Sequence, residues 1–215
     1  EFFHRVSTEA MRVMKPWAFM VAFSQWRLVH RLAVAAEDAG FEIRDLFIWE
    51  HEGGQWKAFS KNHFIERMNI PETAKRKLVA ELGGRKTPQL RPRFEPMILA
   101  QKPKEGTFVQ NWVKWRTGLV QLEFPADTYQ QTTIFQYKKP HKNKEFDHMT
   151  IKPVEMFERL IEVFTVPGQT VLDPFIGSWT AAVAALNTGR NLVGFEIDPT
   201  YHDNALRRIN ELWKS

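Results

Sequence analysis

The sequence contains no cysteine among its 215 residues. This absence excludes disulfide bonds and cysteine-ligated metals, and it is typical of a protein from a reducing compartment. No apolar run approaches the roughly 20 residues that a membrane-spanning helix needs, and no signal peptide is visible in the sequence. We therefore expect a soluble, cytoplasmic protein without a membrane partner.

The composition is that of an ordinary globular protein, with 43% hydrophobic and 26% charged residues. The length fits one domain with an inserted lobe. The net charge of +5 is unevenly spread, because residues 51–150 hold 18 Lys/Arg against 10 Asp/Glu while the remainder holds 12 against 15. Taken alone, this surplus fits a solvated face as well as a phosphate-binding surface.

Helical and strand-like patterns alternate through the first half of the chain. Apolar residues recur at helical spacing in 2–14 and 28–36. Residues 17–23 form a continuous apolar run of strand length, which predicts a central parallel strand. Residues 41–49 and 96–100 also read as strands. This alternation predicts an α/β fold with a doubly wound, Rossmann-like sheet.

The middle of the chain breaks this pattern. Residues 53–93 are basic and interrupted by glycine and proline, with one helical patch near 71–82. In residues 102–147 the apolar residues do not recur at helical or strand spacing over any length. The aromatic residues of this segment argue against disorder. A long irregular stretch inside a compact domain is often functional. We expect a helix over 154–164 to lead into the last strands.

Residues 170–201 are the most informative part of the sequence. They read as a short apolar strand, a turn with Gly177, a helix of small residues and a second strand that ends in Glu196. Glu196 follows Asp173 by 23 residues, close to the offset of about 20 at which an acid reaches ribose hydroxyls. The dinucleotide pattern G-x-G-x-x-G is absent. The pattern thus predicts a nucleotide-binding α/β unit, with a pyrophosphate disfavoured as its ligand.

The sequence motifs of this region resemble those of a known family. Asp-Pro-Phe-Ile-Gly-Ser at 173–178, Gly-Phe-Glu-Ile-Asp-Pro-Thr-Tyr at 194–201 and His-Met-Thr-Ile-Lys-Pro at 148–153 are similar to motifs of amino-directed DNA methyltransferases, as is the segment 86–103. Those enzymes transfer methyl from S-adenosylmethionine to adenine N6 or cytosine N4. The alternative is a generic Rossmann-type domain with a chance Asp-Pro-Phe.

The resemblance implies roles for residues in 148–201. Glu196 would bind the ribose and Asp173 the amino acid end of S-adenosylmethionine, while backbone N–H groups near Gly177 would face its carboxylate. The alternatives are a helix-capping acid for Asp173 and a surface lysine for Lys152. The predicted cofactor-binding residues are Thr150, Lys152, Pro153, Asp173, Phe175, Gly177, Ser178 and Glu196.

The same resemblance implies an order of domains: catalytic motif first, target recognition next and cofactor motifs last. It assigns 1–52 and 94–101 to the catalytic half of the sheet, 53–93 and 102–147 to basic target-recognition inserts, and 148–215 to the cofactor unit. The implied partner is double-stranded DNA, and a homodimer is a possible assembly. The predicted DNA-binding residues are Arg91, Arg93, Lys114, Trp115 and Arg116.

Two tryptophans depart from the family pattern. Trp179 and Trp17 stand where the family usually has glycine. Tryptophan is costly in a left-handed backbone, which glycine adopts freely. Two alternatives stay open for Trp179: a costly left-handed backbone, or an ordinary backbone with the residue beginning the next helix and its ring near the pocket.

A motif is also missing. The family draws its catalytic acceptors from an Asp/Asn/Ser-Pro-Pro-aromatic tetrapeptide, but the 215 residues contain no Pro-Pro. In the family's order this tetrapeptide would precede Glu1, so we expect it upstream and assign no catalytic residue. The reaction needs no metal and no covalent nucleophile. Adenine is favoured over cytosine; the alternatives are a catalytically inactive nucleic-acid-binding subunit and a methyltransferase for RNA or a small molecule.

Overall fold

The structure is a computed structural model that describes residues 1–52, 61–87, 90, 92–124, 132–140, 151–177 and 179–203. The chain divides into two compact units. The larger comprises residues 1–51 and 94–215, and the smaller comprises residues 52–93. Within the described ranges, no helix has the length and apolar character needed to cross a bilayer.

Helices and strands alternate along the chain. The helices are α1 Phe2–Val13, α2 Val29–Asp38, α3 Asn62–Glu66, α4 Glu72–Glu81, α5 Phe108–Trp115, α6 Val154–Phe164 and α7 Thr180–Asn187. The strands are β1 Phe19–Phe23, β2 Glu42–Glu50, β3 Phe94–Gln101, β4 Ile134–Gln136, β5 Thr170–Asp173 and β6 Asn191–Gly194.

The main sheet has the strand order β1-β3-β2-β4. Strand β3 runs antiparallel to both β1 and β2, and β4 runs parallel to β2. The prediction of a central parallel strand at 17–23 is therefore wrong. Strand β1 is only half-buried and pairs with β3 alone among the described strands, whereas β3 is buried along most of its length. An apolar run indicates burial, but it does not specify which strand lies between two others.

Strand β3 sends alternate side chains to the two faces of the sheet, as the period of a strand requires. Met97 and Leu99 pack with Met156 and Leu160 of α6 on one face. Ile98 and Ala100 pack on the other face with residues of α1 and α2. Those partners include Leu32, Ala36, Met11 and Met14. Helices therefore cover both faces, and the α/β class predicted from the sequence is confirmed.

Strands β5 and β6 form a separate parallel pair, with Thr170 opposite Asn191 and Asp173 opposite Gly194. Helix α7 connects them and is built largely from buried alanines. Its Ala184 packs against Ile161 of α6. This unit has the strand–helix–strand order that the sequence predicts within residues 170–201.

A helix, α5, lies inside the segment predicted to be irregular. Thr107 begins it with a capping box: its side chain accepts from the Gln110 N–H, and Gln110 bonds back to the Thr107 N–H. The buried residue of this helix is Asn111, while Phe108 and Val113 are exposed. Because the apolar residues face outward, the usual helical pattern of burial gives no signal here.

The smaller unit contains α3 and α4. Ile65 of α3 is buried, and α4 has no fully buried residue. Helix α4 matches the helical patch predicted near 71–82. It starts after Pro71, whose fixed φ suits a helix start.

Candidate functional site

The loop that follows β5 carries the first part of the candidate site. Asp173 ends β5, and its carboxylate accepts a hydrogen bond from the Phe175 N–H at 3.0 Å. Gly177 has φ +50°, in the left-handed region that glycine adopts without strain. These two features turn the chain sharply from β5 toward α7.

Glu196 meets this loop from the end of β6. Its carboxylate accepts one hydrogen bond from the Gly177 N–H and another from the Asp198 N–H, each at 2.9 Å. Main-chain bonds from Ile176 N–H to Phe195 O and from Phe195 N–H to Asp173 O, both 3.0 Å, hold the two segments together. The structure thus brings Asp173, Gly177 and Glu196 to one edge of the β5–β6 pair.

The two acids influence each other. Burial raises the pKa of Asp173, the Phe175 N–H opposes that shift, and the nearby charge of Glu196 adds to it. Two carboxylates close together and partly removed from water favour a bound cation or a hydroxyl donor. This edge can therefore bind a positively charged or hydroxyl-bearing ligand.

Other predicted cofactor residues are near this edge or outside the described part. Phe175 is 59% exposed, and its ring centroid lies 6.0 Å from that of Phe2. Pro153 is the residue that caps the start of α6. Thr150 and Ser178 lie outside the described residues.

Lys152 has a different environment from the one expected. Its backbone carbonyl accepts a hydrogen bond from the Thr180 hydroxyl at 3.2 Å, so its main chain reaches the start of α7. Its ammonium donates to the carboxylate of Glu95 on β3 and lies 5.2 Å from the ring centroids of both Phe23 and Trp49. The side chain is therefore engaged by the main sheet through an ion pair and cation–π contacts.

Three further polar residues surround this ion pair and were not anticipated from the sequence. Glu95 is shared with Lys139, whose nitrogen lies 3.7 Å away. His51 is 4% exposed, and its Nδ1 has no hydrogen-bond partner among the described residues. Burial lowers the pKa of His51, and the charge of Lys139 lowers it further. Each of these three residues is an isolated charged or polar residue in the sequence. No local pattern predicts that they come together.

Trp17 and Trp179 both have φ +63°, so of the two alternatives for Trp179 the left-handed backbone is the one observed. Trp179 is nevertheless the residue from which α7 begins, and it is 9% exposed, against Ile176 and Ala182. Both indole N–H groups are buried, and neither has a hydrogen-bond partner in the part of the chain that the structure describes. The tryptophans thus occupy backbone positions that favour glycine, held there by packing.

The predicted DNA-binding residues of α5 make contacts within the protein. Lys114 donates to Glu105 at 2.8 Å and Trp115 donates to the same carboxylate at 3.0 Å; both bonds lower the pKa of Glu105. The Arg116 guanidinium lies 4.9 Å from the Trp112 ring centroid. Arg93 is exposed, and Arg91 lies outside the described residues.

The sequence and the fold are similar to those of known proteins. The chain is 30% identical over 212 residues to the type II methyltransferase M.HindIII of Haemophilus influenzae, covering 94% of this chain and 66% of that protein. It is 47% identical over 209 residues to the putative methylase YubD of Escherichia coli, covering 97% of this chain and 69% of that protein. The chain thus spans about two thirds of the length of these relatives.

A solved structure, that of M1.HpyAVI with SAM, superimposes with a TM-score of 0.65 at 22% identity, covering 96% of this chain and 81% of that one. This likeness supports the doubly wound fold. A family model described as DNA methylase, of the N6- and N4-directed class, matches residues 1–207. The family predicted from the motifs is therefore confirmed, and the chain belongs to the N6/N4 DNA methylase family.

Proposed function

We propose that the chain binds S-adenosylmethionine at the edge formed by Asp173, Gly177 and Glu196. The observation that carries the proposal is the convergence of these three residues, which the sequence separates by up to 23 positions. Its donor set fits the ligand: carboxylates suit the ammonium, sulfonium and ribose hydroxyls, and loop N–H groups suit the carboxylate.

Individual roles follow from position. Glu196 would accept from the ribose hydroxyls, and Asp173 would accept from the ammonium of the amino acid end. Phe175, largely exposed beside these acids, would offer an apolar surface to the ligand. Pro153 and the backbone of Lys152 would support the loop from the start of α6, since the Lys152 carbonyl accepts from Thr180. Thr150 and Ser178 remain predicted members of the set.

We propose further that the reaction is methyl transfer to the exocyclic amine of a base in double-stranded DNA, with adenine N6 favoured over cytosine N4. A base within a duplex must be flipped out before its amine can reach the methyl donor. The amine also needs acceptors for its hydrogens as the transition state forms. Residues 1–215 hold no Pro-Pro tetrapeptide of the kind that supplies these acceptors in the family.

The basic middle of the chain would contact the DNA. Arg91, Arg93, Lys114, Trp115 and Arg116 remain the sequence-based candidates for this contact. We place the protein in the cytoplasm, and a homodimer is an assembly that light scattering would test.

Sequencing methylated bases in cellular DNA, with and without the gene, tests the activity. We expect one methylated base type at one recognition sequence to disappear when the gene is deleted. Calorimetry with S-adenosylmethionine tests the site separately. Methylation that is unchanged by deletion would contradict the proposed activity, and an absence of binding would contradict the proposed site. We expect residues 1–215 alone to bind the cofactor without methylating DNA.

A further inference from the structure

The positive charge of the chain is concentrated in the smaller unit. Residues 52–93 contain 10 Lys/Arg and 4 Asp/Glu, whereas the other 173 residues contain 20 and 21. The whole net charge of +5 therefore originates in this unit. Concentrated positive charge on one compact unit is what a surface for nucleic-acid phosphates requires.

Helix α4 of this unit has one half-buried side and one exposed side. Ala74, Leu78 and Leu82 are half-buried, and they follow one another at intervals of four residues. The opposite side of the helix is exposed and carries two cations between two small side chains. The acid Glu72 lies one turn before Arg76 and, with Glu66, lines the same shallow pocket as Arg76. This exposed α4 face consists of Thr73, Arg76, Lys77 and Ala80.

The cations of the exposed α4 face differ from their neighbours in being unengaged. Lys75 pairs with Glu72 at 2.9 Å and is only 20% exposed. Lys114 of the larger unit is likewise paired, with Glu105. Arg76 and Lys77 make no hydrogen bond or ion pair within the part of the chain that the structure describes. Their charges are therefore available to an external anion.

We propose that the exposed α4 face binds the phosphate backbone of double-stranded DNA, with Arg76 and Lys77 as the contacting cations. Thr73 and Ala80 are short, so the helix can come close to a duplex without steric hindrance. The face supplies affinity and orientation, because phosphate contacts do not read sequence. This inference rests on the proposed function, in which duplex DNA is the substrate.

The test measures duplex binding by the 215-residue chain as a function of salt. Fluorescence anisotropy with a labelled duplex gives the dependence of log Kd on log salt. Each lost phosphate contact flattens that slope by about 1, so the Arg76→Gln/Lys77→Gln variant should flatten it by about 2 and bind several-fold more weakly. The control variant Arg12→Gln/Arg31→Gln removes the same charge from exposed sites on α1 and α2 and should keep the wild-type slope.

The outcomes distinguish a failure of the α4 assignment from a failure of the proposed function. If wild type binds the duplex and Arg76→Gln/Lys77→Gln keeps its slope, the α4 assignment is wrong while the proposed function stands. If both double variants flatten the slope equally, net charge and not the α4 face is responsible, and the assignment is again wrong. If wild type binds no duplex at low salt, both the proposed substrate and the inference fail. Thermal unfolding and cofactor calorimetry should be unchanged in both variants.

Discussion

The carboxylate of Glu196 accepts a hydrogen bond from the backbone N–H of Gly177 at 2.9 Å. An acid two residues beyond the end of β6 thus fixes the loop that follows β5. Its other oxygen accepts from Asp198 N–H, also at 2.9 Å. A carboxylate has about four acceptor positions, so Glu196 keeps capacity for ligand hydroxyls while it orders the loop. Loop order and ligand binding therefore depend on the same side chain.

We expect Glu196→Ala to weaken S-adenosylmethionine binding about ten- to hundredfold. Hydrogen bonds to a charged group contribute roughly 1.5–3 kcal/mol, and this change also releases the Gly177 loop. Glu196→Gln retains one acceptor and should lose less. Calorimetry measures both, with Glu37→Ala on the exposed side of α2 as the control. Wild-type affinity in Glu196→Ala would remove Glu196 from the site.

The raised pKa of Asp173 predicts a pH-dependent stability. Burial raises the pKa of this carboxyl above its ordinary value of 3.8, so the folded state holds the proton more tightly than the unfolded state does. The contribution of Asp173 to stability is therefore most favourable below pH 3.8 and is lost as the pH rises through the raised pKa. Asp173→Asn should gain stability relative to wild type above that pKa and lose this advantage in acid.

Denaturant unfolding of both proteins between acidic and neutral pH checks this prediction. A difference between wild type and Asp173→Asn that does not vary with pH would contradict it. A cationic ligand group beside Asp173 should also lower its pKa, so that binding releases a proton. Calorimetry in buffers of different ionisation enthalpy detects that release.

The local part of the fold could be predicted from sequence. Asp173, Gly177 and Glu196 lie within one strand–turn–helix–strand segment. There the apolar pattern predicts the elements, and the spacing of the two acids predicts that they meet. The order of β1, β3 and β2 could not be predicted, because β3 follows the two strands it separates and an insert intervenes. Pairing over such distances depends on the tertiary fold and not on local pattern.

The contacts of Lys152 show the same limit. Its partner Glu95 is 57 residues away, and neither residue belongs to a pattern that implies the other. The backbone at Trp17 and Trp179 could not be predicted for another reason. Tryptophan disfavours a left-handed backbone, yet the surrounding fold imposes one at both sites.

We expect Lys152 to matter for stability through Glu95. The pair is largely removed from solvent, with 19% and 31% of the two side chains exposed. Lys152→Met should therefore cost about 1–3 kcal/mol of unfolding free energy, since it leaves the Glu95 charge less compensated. Glu95→Gln in that background should cost less than it does alone, which gives a coupling of about 1 kcal/mol.

A double-mutant cycle in urea measures this coupling. The control is the cycle for Lys114→Met and Glu105→Gln, because that pair is 62% and 51% exposed and should show no measurable coupling. Absence of coupling between positions 95 and 152 would mean that the ion pair does not stabilise the fold. Lys152 would then be free to act on the ligand.

The last prediction concerns the packing of Trp17 against Gly118. A Cβ built on Gly118 would lie 2.0 Å from Cε3 of Trp17, and Gly118 itself has φ +93°. Gly118→Ala should therefore cost about 2–5 kcal/mol, from the steric clash and the left-handed backbone together. In a Trp17→Gly background the clash disappears, and the same change should cost only the backbone penalty of about 1–2 kcal/mol.

Gly168→Ala is the matched control. Gly168 has φ +81°, but no atom of the described residues lies within 4 Å of its Cβ position, so we expect alanine there to meet only the backbone penalty. Its cost should be the same with Trp17 and with Trp17→Gly, while the cost of Gly118→Ala should fall. Urea unfolding of wild type, the three single variants and the two double variants measures these differences. Equal costs for Gly118→Ala and Gly168→Ala in the wild-type background would show that Trp17 can move aside, and that its ring does not hold the left-handed backbone in place.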